Sequence, residues 1–248
     1  MKRYLVESAA IRQNLETLKK RAGKARLFAV VKGNGYGLGL VPLAAICRDA
    51  GVDTFCVTEV SDATQLRGAG FTQQILMIRP TCDVDEVHQL LDLDVVLTVS
   101  SQDDAAVLNG IATQRKQKVK AHIEIDTGMG RYGFLPGEMD KLLHIYSYMD
   151  GLDLCGIYTH FHSAFCNKKA TDLQMVCFRS VIRQLQEKGK RVDPKRILKE
   201  IVERDEQDMN RAIAPLKCAP DAIRVDSSEL TQEQTVQKLL ALIRERIG

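Results

Sequence analysis

Apolar positions recur in two rhythms along the chain. Over residues 8–22, SAAIRQNLETLKKRA, they fall at helical spacing within a charged segment, which predicts an amphipathic helix from Ser8 to Ala22. Short β-branched runs then take over: RLFAVVK, TFCVTE, QILMIRP, VVLTV, VKAHIEID and LDLCGIYTHF, each followed by a helix-length stretch such as DVDEVHQLLDL, QDDAAVLNGIATQRK or GEMDKLLHIYSYM. Six βα units of this length predict parallel strands with both faces covered, in either an open doubly wound sheet or a closed barrel. Periodicity does not choose between the two.

Polar residues gather where the predicted strands stop. Lys32, Glu59, Arg79, Asp126 and His160 all fall at strand ends, and in either architecture that carboxyl-end rim is where a ligand binds. From about Gln186 the rhythm ends. A charged helix runs through QEKGKRVDPKRILKEIVERDEQDMNRAIAPLK, AIRVD (Ala222 to Asp226) reads as a short strand, and LTQEQTVQKLLALIRERIG reads as a helix with Thr231 and Gln234 in capping-box positions. The expected organisation is a domain over 1–185 followed by a mostly helical tail over 186–248.

Composition narrows the class. With 248 residues, 45% of them hydrophobic, the chain can bury a sizeable core. The 35 basic and 32 acidic residues are interspersed and leave +3, so no nucleic-acid or membrane surface is indicated. Seven cysteines without a CxxC pair read as free, mostly buried thiols of a reducing compartment. The first residues are too charged for a signal peptide and no apolar run reaches spanning length, so the expected location is the cytoplasm.

Three rim segments carry chemistry. In AVVKGNGYGLG, Ala29 to Gly39, a buried strand ends in Lys32 and runs into glycines. Partial burial lowers a lysine's pKa and frees the neutral amine that attacks a carbonyl, although a strand-end lysine also serves solubility. In HIEIDTGMGRYGF, Arg131 can clamp an anionic oxygen with its planar fork or make a surface ion pair. In GIYTHFHSA, no further ligands accompany His160 and His162, so an imidazole facing a flat heterocycle is favoured over metal binding. Lysine, tyrosine (Tyr36), arginine and histidine on one rim suit an aldehyde cofactor, and pyridoxal phosphate is the one whose ring is an electron sink for carbanions.

Residues 1 to about 185 resemble the N-terminal barrel domain of alanine racemase, through AVVKGNGYGLG, TEVSDATQLRGAG, QILMIRPT, IDTGMGRYGF and GIYTHF in order. The resemblance implies an α/β fold, an incomplete parallel (β/α) TIM-type barrel of about six units. It also implies bound pyridoxal 5'-phosphate and an amino-acid substrate, with L-alanine and the cell-wall precursor D-alanine interconverted. By the same resemblance Lys32 is the cofactor lysine and a base on one face of the substrate carbon. Tyr36 lies beside the phosphate, Arg131 near the ring oxygen and substrate carboxylate, and His160 against the ring. Leu38 stands where the family usually has histidine, and Glu124 where many members have a modified lysine, which suggests a carboxylate that orients Arg131 directly. The family's opposite-face base, phosphate-binding serine and later strands are not found in the sequence, so impaired racemisation is expected.

Residues 183–248 resemble instead the C-terminal end of bacterial cytidylate kinase, through RDEQDMNRAIAPLKCAPDAIRVD. Arg204, Asp208 and Arg211 fall on one helix face, where they can meet nucleotide phosphates or be a solvated charged face. Cytidylate (CMP/dCMP) kinase activity is disfavoured because no GxxxxGK[ST] loop occurs. A non-catalytic carrier of pyridoxal phosphate or a chimeric chain is the third reading. Six strands leave two open edges, which predicts that AIRVD pairs with one of them or that the chain forms homo-oligomers.

Overall fold

The computed structural model describes residues 5–190 and, in the tail, the helical positions Gln234, Gln237 and Ala241. It divides into two units, Met1–Asp208 and Met209–Gly248, and the first is described below. The AIRVD segment, its expected pairing, and Arg204, Asp208 and Arg211 lie outside the described residues.

All six expected strands form. They are β1 (Phe28–Val30), β2 (Thr54–Val57), β3 (Gln74–Met77), β4 (Val95–Val99), β5 (Val119–Ile125) and β6 (Leu152–Thr159), in one parallel sheet ordered β1-β2-β3-β4-β5-β6. The strictly sequential order resolves the choice the periodicity left open. A doubly wound sheet reverses direction at a switch point, whereas a sheet that only ever adds the next strand on the same side is part of a (β/α) barrel. The barrel is incomplete: among the described residues β1 and β6 have a neighbour on one side only.

Among the described residues up to Lys190, eight helices accompany the strands. The first, α1 (Ser8–Ala22), coincides with its predicted span; α2 (Lys32–Tyr36), α3 (Leu40–Asp49), α4 (Val60–Gly68), α5 (Val84–Asp92), α6 (Gln102–Arg115), α7 (Met139–Tyr148) and α8 (Lys168–Glu187) follow. Several begin on a side-chain cap. Asp83 accepts from the Glu86 N–H at 2.9 Å, Ser101 from Asp104 at 3.1 Å and Asn167 from Ala170 at 3.1 Å, each relieving an orphan donor at a gain of about 1 kcal/mol.

Between sheet and helices lies the main core, where Phe55, Ile75, Met77, Leu97 and Ile123 pack with Leu66, Leu90, Leu108, Leu142 and Phe178. The concave side holds a smaller apolar cluster of Cys56, Leu76 and Val96, flanked by Phe28, Val30 and Ile78. At the amino ends of the strands Arg67 donates to the carbonyls of Phe71, Gln73, Leu93 and Asp94. One guanidinium thus ties two loops, α4–β3 and α5–β4, on the face opposite the rim.

A bulge decides which residues of β6 face inward. Ala121 pairs with Leu154 but His122 pairs with Gly156, so Cys155 is the extra residue on β6. A Cβ on Gly156 would sit 2.5 Å from the His122 ring, so glycine is required for that ring to lie across the strand. A slip of one residue exchanges the faces of everything beyond it. Tyr158 consequently pairs with Glu124 and shares its face, and His160, two residues on, follows the same alternation.

Candidate active site

Lys32 is placed by the end of β1. Val31 N–H still donates to Cys56 O at 2.9 Å, and Lys32 is the next residue, half-buried. The sequence suggests that the following glycines simply interrupt regular structure, but they build a specific one. Gly33, Asn34, Gly35 and Tyr36 have φ of 59°, 53°, 61° and 55°, a turn of left-handed helix. A residue with a Cβ is strained in that conformation by about 1–2 kcal/mol, so glycine at alternate positions and asparagine between them lower the cost. The turn is closed by Gly35 N–H to Val31 O at 2.9 Å and Gly39 N–H to Asn34 O at 2.9 Å, while Asn34 Oδ1 accepts from Leu40 N–H at 3.0 Å and starts α3. Tyr36 is carried on the turn with 46% of its surface exposed.

The second rim loop is folded by a carboxylate. Asp126, just beyond β5, accepts from Gly128 N–H at 2.9 Å and from Gly130 N–H at 2.9 Å. The chain then returns, with Asp126 N–H donating to Phe134 O and Phe134 N–H to Glu124 O, both at 2.9 Å. Gly133 makes this return possible, since a Cβ there would meet Asp126 N at 2.7 Å. Arg131 rides on the loop, exposed, with its guanidinium 5.3 Å from the Tyr132 ring centroid. Arg79 and Glu59, also at strand ends, are engaged with each other and with the scaffold: Arg79 Nε donates to Thr58 O at 2.8 Å and its Nη2 holds Glu86 at 3.0 Å and Glu59 at 3.8 Å.

Inside the barrel a polar chain runs across β5, β6 and β4. Tyr158 Oη lies 3.1 Å from Glu124 Oε2 and 3.0 Å from Thr98 Oγ1, and Thr98 Oγ1 donates to Met77 O at 2.8 Å. Burial pushes the Glu124 carboxyl up to about 7, against the hydrogen bond from Tyr158 and the positive charge of Arg131. Burial and the neighbouring Glu124 also hold the Tyr158 phenol well above its usual range. Tyr158 donates its hydrogen to Glu124 Oε2. The hydrogen bond Glu124 makes is therefore to Tyr158, and its influence on Arg131 is exerted through space.

His160 follows β6, half-buried, in a loop bonded to α8. Gln174 of α8 donates to His160 O at 3.2 Å and to Thr127 Oγ1 at 3.1 Å, and accepts from His162 N–H at 3.2 Å. Thr127 and Thr159 hydroxyls meet at 2.7 Å. The structure thus places Lys32, Tyr36, Arg131 and His160 on one rim, the first two after the first strand and the last two after the last two strands. Sequence reasoning missed Tyr158, Thr98 and Gln174. For Tyr158 a signal existed, the glycine that breaks period-two alternation in LDLCGIYT; for Gln174 there was none.

The family model described as "Alanine racemase, N-terminal domain" matches residues 6–197, and one for cytidylate kinase matches 178–245. The chain belongs to the alanine racemase N-terminal domain family. It is 40% identical over 184 residues to the alanine racemase of Desulforamulus reducens, covering 73% of this chain and 49% of that protein. It is 37% identical over 188 residues to that of Pediococcus pentosaceus, covering 74% and 49%. Among solved structures, the alanine racemase from Bacillus anthracis with bound L-Ala-P superposes with a TM-score of 0.69 at 33% identity, covering 77% of this chain and 50% of that one. The alanine racemase of Clostridium difficile 630 gives 0.69 at 26% identity, covering 77% and 51%. The chain spans about half the length of the relatives it matches. The two family matches overlap at 178–197, across the end of α8.

Proposed function

We propose that residues 1–185 form the pyridoxal-phosphate-binding part of an alanine-racemase-type site, acting on a small amino acid, with Lys32 as the cofactor lysine. The observation that carries this reading is the position of Lys32, which leaves β1 into a left-handed turn on the rim that also carries Arg131 and His160. The donor set fits the cofactor: an amine for its aldehyde, a phenol for its phosphate, a guanidinium for its ring oxygen and an imidazole for its ring. When bound, the cofactor supplies an electron sink for the carbanion left by removal of an α-proton.

The chain's own residues supply the rest. Lys32 Nζ holds the cofactor and exchanges a proton with one face of the substrate α-carbon. Tyr36, on a turn whose backbone is fixed by its own hydrogen bonds, donates to the phosphate without having to be ordered on binding. Arg131 pairs with the substrate carboxylate, its planar fork matching the two oxygens. Racemisation also needs a base on the opposite face, and we propose that this chain assayed alone interconverts alanine enantiomers poorly.

The test is an absorption spectrum of the purified protein with pyridoxal phosphate, before and after borohydride, followed by peptide mass analysis. A visible band, fixed by reduction as a pyridoxyl group on the Lys32 peptide and lost in Lys32→Ala, is expected. A folded protein with no band, or the group on another lysine, overturns the reading.

A further inference from the structure

Arg131 and His160 sit on different loops, one after β5 and the other after β6, and each must reach the same bound group. Gln174 joins those loops. It stands on α8 with 4% of its surface exposed, and both ends of its amide are used. Nε2 donates to His160 O at 3.2 Å and to Thr127 Oγ1 at 3.1 Å, and Oε1 accepts from His162 N–H at 3.2 Å. The contact with the first loop extends to packing: Gly128 has a φ of 141°, and a Cβ built there would touch the Gln174 side chain at 3.6–3.8 Å. Thr127 is the residue after Asp126, whose carboxylate holds Gly128 and Gly130 and so fixes the approach to Arg131.

We infer that Gln174 is a positioning residue that registers the Arg131 loop against the His160 loop, setting guanidinium and imidazole as one unit for the cofactor and substrate. The chemistry favours an amide for this role. Bridging two acceptors on one side and a backbone N–H on the other takes two donors and one acceptor in one plane. A carboxylate has no donor and a lysine no acceptor. An apolar replacement removes the partners of His160 O, Thr127 Oγ1 and His162 N–H together. The inference rests on the proposed function for what the unit binds, but not for the coupling of the loops.

Hydrogen exchange of the cofactor-free protein therefore comes first. In Gln174→Leu the amides of residues 127–131 and of His162 are expected to exchange faster together, while those of β2 to β5 keep their protection. Gln174→Glu retains the acceptor for His162 N–H and loses both donors, so the 127–131 amides speed up and His162 stays protected. Pyridoxal phosphate affinity, read from the same spectra as above, should weaken about 10-fold or more in Gln174→Leu, the scale of one lost buried hydrogen bond. Unchanged exchange in either loop of Gln174→Leu, or an equal rise across the whole sheet in both variants, overturns the inference. Coupled exchange in Gln174→Leu beside a wild-type protein that binds no cofactor would sink the proposed function and leave the clamp standing.

Discussion

KGNGYGLG and DTGMGRYG look alike as text, two glycine-punctuated loops following two parallel strands, yet they are held by different means. In the first the backbone does the work: five successive residues, Gly33 to Gly37, have positive φ, backbone hydrogen bonds to Val31 before them and from Leu38 and Gly39 after them close the turn, and a single side chain, Asn34, reaches forward to α3. In the second, side chains dominate: Asp126 gathers two amides, Gln174 holds Thr127, and the return strand is clamped over Gly133. The difference teaches that glycine has two meanings at this rim. Before Tyr36 it permits a handedness, and before Phe134 it makes room for another piece of backbone.

The harshest way to test that distinction is Gly133→Ala. It combines a φ of 109° with contacts under 3 Å to the backbone of Ile125 and Asp126, and strain plus overpacking together predict a loss of about 4 kcal/mol in thermal or denaturant unfolding. Next comes pH, because the second loop is rooted beside a buried carboxyl and the first is not. Glu124 has its pKa raised from 4.5 to about 7, so the folded state prefers it neutral. Its contribution is greatest below the unfolded value and falls as pH rises from 4.5 through about 7, by about 3 kcal/mol in all. Glu124→Gln should flatten that slope and be the more stable protein at pH 8; parallel stability curves for the two would refute it.

Asn34→Ala, in the first loop, should cost about 2 kcal/mol, from the left-handed backbone and the lost cap. Asn34→Gly should recover the backbone share alone, and equal losses in both variants would mean that handedness is not what asparagine provides there. The mildest change is Asp126→Asn, which keeps one acceptor: about 1 kcal/mol in unfolding, with faster exchange of the Gly128 and Gly130 amides and none in residues 33–39. Movement in the first loop would show that the two are not independently built.

Much of the fold was legible because its determinants are local. Apolar β-branched runs such as VVLTV and ILM are bounded by helices with their own caps, and each strand pairs with the next in the chain, so period and order sufficed for six parallel strands. The rim positions of Lys32, Arg79, Asp126 and His160 followed from where those runs stop. What escaped the sequence depends on register and on distant contacts. Tyr158 faces inward only because Cys155 is an extra residue, a fact fixed by the meeting of His122 with Gly156 across two strands. The left-handed turn at Gly33–Tyr36 needs φ values that composition permits without specifying, and Gln174 is one polar residue in a helix rich in them. Residue types told which chemistry was on offer; which side chain holds which loop is a property of the packed structure.

The strictly consecutive strand order also bears on how the molecule comes into being. Among the described residues every register pair joins a strand to the one synthesised just before it, as Phe28 to Thr54 and Lys120 to Asp153, so each strand after β1 emerges to a partner already made. The sheet can be laid down in the order of translation, each new unit finding a finished edge and leaving another for its successor. Lys32, delivered with the first strand, is in place before the loops that bring Arg131 and His160 have emerged.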